Sequence, residues 1–197
     1  MSDRSDELRA LHKPVLVLPN VWDVGSALLV AALPGCRALA TTSSGVAASL
    51  GYPDGERIPA AEMLAAVGRI AQAVEVPVSA DLEAGYGDPV ATARAAVDAG
   101  VAGLNLEDKA GSADEHVERI RAVRAEVGDE LVVNARIDVF LHGTGGVEDA
   151  VERGNAYLDA GADCVFPIGV SEGAAIARLA AGIDGPVNVL AGAGTPP

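Results

Sequence analysis

VSADLEAGYGDP (78–89) carries an apolar chain into two acids and then into a helix start. Val76, Val78 and Ala80 lead into Asp81 and Glu83, which at the period of two of an extended chain point to one side, with Leu82 on the other. The residues before the acids are apolar on both faces, the pattern of a parallel strand covered on both sides rather than of a solvated edge. Asp88-Pro89 then reads as an N-cap followed by proline at the first helical position. The stretch is one strand, one loop and one helix, with the polar groups gathered where the strand ends.

The same unit repeats on either side. Strands are expected at VLVLP (15–19), ALATT (38–42), VPVSADL (76–82), GLNLE (103–107), LVVNARI (131–137), CVFPI (164–168) and PVNVL (186–190). Between them the period becomes helical, with one apolar stripe at Met63, Leu64, Val67, Ile70, Ala71 and Val74 and another at Val117, Ile120, Val123 and Val127. Ser112 to Glu115 has the spacing of a capping box, and Gly100 and Gly161 stand where helices should stop. DAGVAGLNLED (98–108) echoes DAGADCVFPIG (159–169), a repeated helix end, glycine turn and strand. Strict alternation predicts an α/β fold with a parallel sheet. No GxGxxG or GxxxxGKS/T follows a strand, so a (β/α) TIM-type barrel is favoured over an open doubly wound sheet. Seven strands are counted, and GAGTPP at the end leaves no room for an eighth βα unit. The barrel is then irregular, completed by a partner, or a shortened form of a longer protein, and the expectation favoured is the last: a single (β/α)-barrel domain over 1–197 whose C-terminal part is missing.

Composition narrows the function. The formal charge is −14, with 14 Lys plus Arg against 28 Asp plus Glu, which disfavours nucleic acid and anionic membrane surfaces as partners. No apolar run reaches the roughly 20 residues of a membrane span, and the charged start predicts a cytoplasmic protein. Cys36 and Cys164 lack CxxC or His spacing and read as small buried hydrophobes. Lys13 and Lys109, the only lysines, lie outside the strands, which argues against Schiff-base chemistry.

Strand parity extends the polar end group. Asn105 and Glu107 share one face while Leu104 and Leu106 take the other, and Asn134, Arg136 and Asp138 share one face while Val133, Ala135 and Ile137 take the other. In a barrel those strand ends form the active-site mouth. Ion pairs closing a barrel top would give the same pattern at any one residue, but three strands agree. Such a layer suits a hard divalent cation held by one or two carboxylates and waters. Asp81, Glu83 and Glu107 fit that need, and Arg136, with Asn134 on the same face, can take a substrate carboxylate. The Ser-Ser-Gly turn after the second strand can offer backbone N–H groups to an anion or be only a turn, and Asp54 is either a loop carboxylate or an ordinary turn residue.

NVWD (20–23), TTSSGVA (41–47), LGYPDG (50–55), ADLEAGYGD (80–88), GLNLEDK (103–109) and NARIDVFL (134–141) together resemble, in order and spacing, the isocitrate lyase/phosphoenolpyruvate mutase superfamily. The resemblance runs from about Leu16 to the C-terminus and implies a Mg²⁺-binding (β/α) barrel that stabilises enolate-like forms of small 2-oxo or 2-hydroxy acids. It also implies a homodimer or homotetramer. Carried over residue by residue, it places Asp81, Glu83 (where a second aspartate is usual) and Glu107 at the metal, which is Mg²⁺ or, in its stead, Mn²⁺. Trp22 matches an aromatic wall, Ser44, Gly45 and Val46 a backbone anion cradle, Arg136 the carboxylate-binding arginine and Asp54 a loop aspartate beside the reacting group. Asp54, Glu107 and Arg136 are thus the expected catalytic residues, and Trp22, Ser44, Gly45, Val46, Asn134 and Arg136 the expected substrate contacts.

Two departures bear on the reaction. Lyases of the superfamily carry a Lys-Lys/Arg-Cys-Gly-His segment after the fourth strand, whereas Asp108-Lys109 here runs into AGSADEH. Ile168 stands where methylisocitrate-lyase-like members place a glutamate. The first expectation is therefore an oxaloacetate decarboxylase-like C–C lyase acting on a small anionic 2-oxo acid. The alternatives are C–P chemistry, as in phosphonopyruvate hydrolase or phosphoenolpyruvate mutase, and a catalytically silent assembly subunit.

Overall fold

Burial on both faces decides where the strands lie. The structure, a computed structural model, describes residues 2–192. They form two compact units, one made of the chain up to Leu106 with Ala125–Val132, the other of Glu107–Arg124 and the chain from Val133 onward.

In the first unit the chain runs through α1 (Ser2–Leu11), β1 (Asn20–Val21), α2 (Val24–Ala31), β2 (Leu39–Thr41), α3 (Ser43–Ser49), α4 (Ala60–Ala73), β3 (Val78–Asp81), α5 (Pro89–Asp98) and β4 (Gly103–Glu107), whose last residue belongs to the second unit. Successive strands pair in parallel, with Asn20 beside Ala40, Leu39 beside Val78 and Asp81 beside Asn105. Leu39, Val78, Ala80, Leu82, Leu104 and Leu106 are all buried, as strands covered on two sides require. The predicted stripe of α4 is its inner face: Met63, Val67, Ile70, Ala71 and Val74 are buried and Leu64 is half-buried. Arg4 of α1 donates from Nη1 to Ala71 O at 2.9 Å and from Nη2 to Val74 O at 3.2 Å, meeting the orphan carbonyls of α4 with a cation.

The second unit contains most of α6 (Ala113–Val127), most of β5 (Val132–Ile137), then α7 (Val139–His142), α8 (Val147–Asp159), β6 (Cys164–Pro167) and α9 (Gly173–Gly182). Asn134 lies beside Cys164 and Arg136 beside Phe166 in a parallel pair. On α6, Ile120, Val123 and Val127 are buried and Val117 is half-buried.

The helix punctuation follows the sequence. Asp88 caps α5 by accepting the Ala91 N–H at 3.0 Å, and Ser112 Oγ accepts the Glu115 N–H at 3.4 Å. The repeated DAG segments end their helices alike: Val101 N–H reaches back to Ala96 O at 3.1 Å and Ala162 N–H to Tyr157 O at 3.0 Å. Gly100 (φ +86°) and Gly161 (φ +108°) supply the left-handed residue that this ending needs.

Three expectations are corrected. VLVLP is not a strand: Val15 and Val17 are 84% and 76% exposed, and pairing begins only at Asn20, whose neighbour Val21 is buried. PVNVL is reduced to one parallel bridge between Val187 and Val165, flanked by hydrogen bonds from Val165 N to Pro186 O and from Asn188 N to Val165 O. Cys36 is only half-buried, whereas Cys164 is buried as expected. The expected stop without an eighth strand falls on 193–197, outside the described residues. No helix among the described residues is long and apolar enough to cross a membrane.

Gly103 opens β4 where a Cβ would stand 2.8 Å from Leu8 Cδ2 and 3.2 Å from both Ser79 Oγ and Val132 Cβ. Gly103→Ala should therefore cost about 1 to 3 kcal/mol by overpacking, measured as a lower urea midpoint at unchanged slope.

Candidate active site

The first unit builds its polar cluster around the end of β3. Asp81 Oδ2 accepts from the Ser43 hydroxyl at 2.9 Å and from the Ser43 N–H at 3.3 Å, and the Asp81 N–H donates to Thr41 Oγ1 at 3.0 Å. The carboxylate is thereby aimed by Ser43 at the start of α3, while Thr41 at the end of β2 holds the Asp81 backbone. Glu83 is not a continuation of that strand. β3 stops at Asp81, and Glu83 takes a left-handed φ of +52°. Alternation gave a correct buried acid there for a reason that does not apply, because the turn and not the pleat directs it.

Glu83 is 4% exposed and tied into a ring of loop contacts. Its Oε2 accepts the Glu56 N–H at 2.7 Å, its Oε1 accepts the Tyr86 hydroxyl at 2.9 Å, and Glu56 Oε1 accepts the Tyr86 N–H at 2.6 Å. Glu56 (φ +58°) and Tyr86 (φ +54°) share the left-handed conformation, which costs about 1 kcal/mol or more for each such residue and persists where surrounding contacts over-determine it. Burial raises the pKa of Glu83, and the charges of Asp54 and Asp81 add to it, against the lowering effect of the Tyr86 and Glu56 hydrogen bonds. Burial and the Glu83 charge likewise raise Tyr86, so its hydroxyl stays a donor. Asp54 itself is exposed on the adjoining turn.

The expected anion cradle is the first turn of α3. Val46 N–H donates to Thr42 O at 2.9 Å and Gly45 N–H to Thr42 Oγ1 at 3.5 Å, while the Ser44 and Thr42 hydroxyls lie 3.0 Å apart. Two of the three expected amides thus serve the helix. Gly45 also admits Trp22: a Cβ at 45 would lie 2.6 Å from Thr42 Cγ2 and 3.0 Å from Trp22 Cβ. Trp22, 46% exposed, stands beside this turn.

In the second unit Arg136 is fixed by two carboxylates. Its Nη2 lies 2.8 Å from Glu107 Oε2, and Nε and Nη2 donate to Asp138 Oδ1 and Oδ2 at 2.7 and 3.1 Å. Asp138 follows β5 and reaches back, so the predicted shared face becomes a bidentate clamp. Asn134 is turned elsewhere: its Oδ1 accepts the Cys164 thiol at 3.2 Å and Asn188 Nδ2 at 2.9 Å. Below the clamp lies Asp108, fully buried. Its Oδ1 accepts the N–H groups of Ala110 (2.8 Å) and Asp138 (3.0 Å), and its Oδ2 the Tyr157 hydroxyl (2.7 Å) and Arg153 Nη1 (2.9 Å).

The family model described as phosphoenolpyruvate phosphomutase matches residues 8–197. The chain belongs to that family. Within the wider isocitrate lyase/phosphoenolpyruvate mutase superfamily it is 38% identical over 181 residues to an uncharacterised protein of Mycobacterium tuberculosis, covering 88% of this chain and 69% of the relative. It is 32% identical to the 2-methylisocitrate lyase of Escherichia coli, covering 81% of this chain and 60% of that enzyme. Among solved structures, oxaloacetate acetylhydrolase in complex with its product oxalate superposes with a TM-score of 0.84 at 30% identity, over 95% of this chain and 71% of that one. The fold class is the α/β, TIM-barrel-like type of these superfamily neighbours.

The donors present in this family member suit a hard cation. Asp81 and Glu83 offer oxygen only, and Asp81 is oriented by Ser43 as a metal ligand usually is by its neighbours. Among the described residues no group of three or more His, Cys, Asp or Glu side chains is gathered to hold a metal ion. Four partners escape the sequence reading: Ser43, Glu56, Tyr86 and Asp108. For Tyr86 the flanking Gly85 and Gly87 mark a tight turn, and for Asp108 parity with Leu104 and Leu106 marks a buried acid. Glu56 sits in a loop where no period applies.

The raised Glu83 pKa has a testable sign. The folded state holds that proton more tightly than the unfolded chain, so stability falls as pH rises from the ordinary value of 4.5 through the raised one. Glu83→Gln should remove that fall, seen as a smaller loss of stability than in wild type across the same pH window in parallel urea titrations.

Proposed function

We propose that this chain is a Mg²⁺-dependent C–C lyase for a small 2-oxo acid, of the oxaloacetate decarboxylase kind, working as a cytoplasmic homodimer or homotetramer. The observation that carries the reading is the segment after Glu107. Asp108 to Gly111 is a short turn fastened to α8, and neither thiol of the chain lies on it, since Cys164 opens β6 and Cys36 precedes β2. A lyase that must protonate a carbanion on a succinate-like product relies on a positioned acid worth about 10² to 10⁴ in rate. Decarboxylation of oxaloacetate needs no thiol.

Asp81 would hold the cation directly and Glu83 through water. A bound Mg²⁺ supplies Lewis acidity toward the 2-oxo and adjacent carboxylate oxygens. Arg136, kept in one orientation by Glu107 and Asp138, meets the negative charge of the substrate. Loss of CO₂ leaves an electron pair that is taken up on the 2-oxo oxygen, and one proton from water, or from Asp54 on its exposed turn, completes pyruvate. Trp22 beside Gly45 shields one side from solvent. A second reading follows from Asp54, whose charge is felt at Glu83: a carboxylate there could serve phosphoryl chemistry on phosphonopyruvate.

Oxaloacetate should be turned over in Mg²⁺, with negligible glyoxylate or pyruvate from isocitrate or 2-methylisocitrate at equal enzyme concentration. Robust 2-methylisocitrate cleavage overturns the assignment, and phosphate release from phosphonopyruvate transfers it to the second reading. Oxalate at about one hundred times its dissociation constant should raise the melting temperature by about 5 to 10 °C in Mg²⁺. That rise should vanish in EDTA and in Asp81→Ala, and an equal rise in EDTA removes the metal from the mechanism.

A further inference from the structure

Asp108 takes no part in the chemistry just described, yet four donors converge on it. Its carboxylate has no exposure and accepts four hydrogen bonds from three separate segments: the turn after β4 (Ala110 N–H), the end of β5 (Asp138 N–H) and α8 (Arg153 and Tyr157). The Asp108 N–H donates in turn to Arg136 O at 3.2 Å. Asp108 is therefore bonded to the backbone on both sides of Ile137, between the arginine and the carboxylate that clamps it.

The turn it holds is not a relaxed one. Lys109 (φ +53°) and Ala110 (φ +52°) are consecutive non-glycine residues in the left-handed region, a conformation that persists only where neighbours over-determine it. Ala110 N–H on Asp108 Oδ1 and Gly111 O on Arg153 Nη1 (2.9 Å) are those neighbours. The support is itself braced. Arg153 Nε bonds Asp149 Oδ1 at 3.1 Å, and the Tyr157 ring meets the buried His116 ring edge-on at 4.6 Å. Burial and the Asp108 charge hold the Tyr157 hydroxyl well above the ordinary phenol range, so it remains a donor.

We infer that Asp108, with Tyr157 and Arg153 behind it, is a positioning residue that sets the direction of the Arg136 guanidinium and the path of the chain after Glu107. The inference rests on the reading of Arg136 as the substrate's anion partner. The carboxylate supplies no proton and touches no substrate. Its product is a fixed angle between the strand end carrying Glu107 and the one carrying Arg136 and Asp138, all within the second unit. Groups of this kind, one shell removed from the ligand, typically change affinity or activity about 10- to 100-fold when replaced.

The test uses the full chain and three variants. Asp108→Asn keeps the shape and removes the charge, Tyr157→Phe removes one donor and keeps the ring, and Asn155→Ala cuts α8 loose from Gly182 and Asp184 on its other side as a purely structural control. Oxalate affinity in Mg²⁺ is measured by calorimetry well below each melting temperature, together with kcat and KM for oxaloacetate. Asp108→Asn should weaken oxalate about 10- to 100-fold, and Tyr157→Phe about 2- to 10-fold, the worth of one hydrogen bond. Asn155→Ala should lower the melting temperature and leave the affinity alone. If Asp108→Asn does not fold, Tyr157→Phe decides. Wild-type oxalate affinity in a folded Asp108→Asn or in Tyr157→Phe overturns the inference. A wild type that binds oxalate but does not turn over oxaloacetate overturns the proposed reaction instead, and the affinity series still decides the role of Asp108.

Discussion

A carboxylate without water must find all its hydrogen bonds in the chain, and in the second unit that demand organises everything near the strand ends. Asp108 is buried beyond reach of solvent, so four donors have to converge on it, and they can do so only if the turn after β4, the end of β5 and α8 hold one arrangement. Leaving such a charge short of partners costs far more than the net worth of any one of its bonds, which is why the surroundings give way instead. Two left-handed non-glycine residues and a committed arginine are the visible concessions. The Glu107–Arg136–Asp138 clamp sits on that support.

The first unit meets a similar demand differently. Glu83 is buried with the Glu56 N–H and the Tyr86 hydroxyl as donors, and burial, with the charges of Asp54 and Asp81 added, raises its proton affinity.

Much of this was legible in the sequence because parallel strands leave few choices. β4 was read at its observed limits, and Val133, Ala135 and Ile137 went to the buried side as alternation requires. The same rule failed where the chain left the strand. Glu83 owes its place to a left-handed turn, and the Gly45 and Val46 amides of the expected anion cradle bond Thr42 at the start of α3. VLVLP misled for a plainer reason: apolar content marks a strand only where something covers it, and Val15 and Val17 are exposed. Loop partners such as Glu56 and Tyr86 obey no period, so their meeting follows from tertiary closure alone.

The turn after β4 also bears on how such a protein could change its trade. Its roots, Asp108 and Gly111, are both gripped by Arg153, whereas the residues that follow up to the start of α6 are exposed or half-buried. Added chain is tolerated at such unburied positions far better than at anchored ones. An insertion beyond Gly111 would inherit a rigid base beside Glu107 without disturbing the strand ends, so new chemistry could be tried on the free side while the old framework stays intact. The same grip makes the residues before Gly111 a poor place for innovation, since any added length there must break the buried anchorage before it can offer anything new.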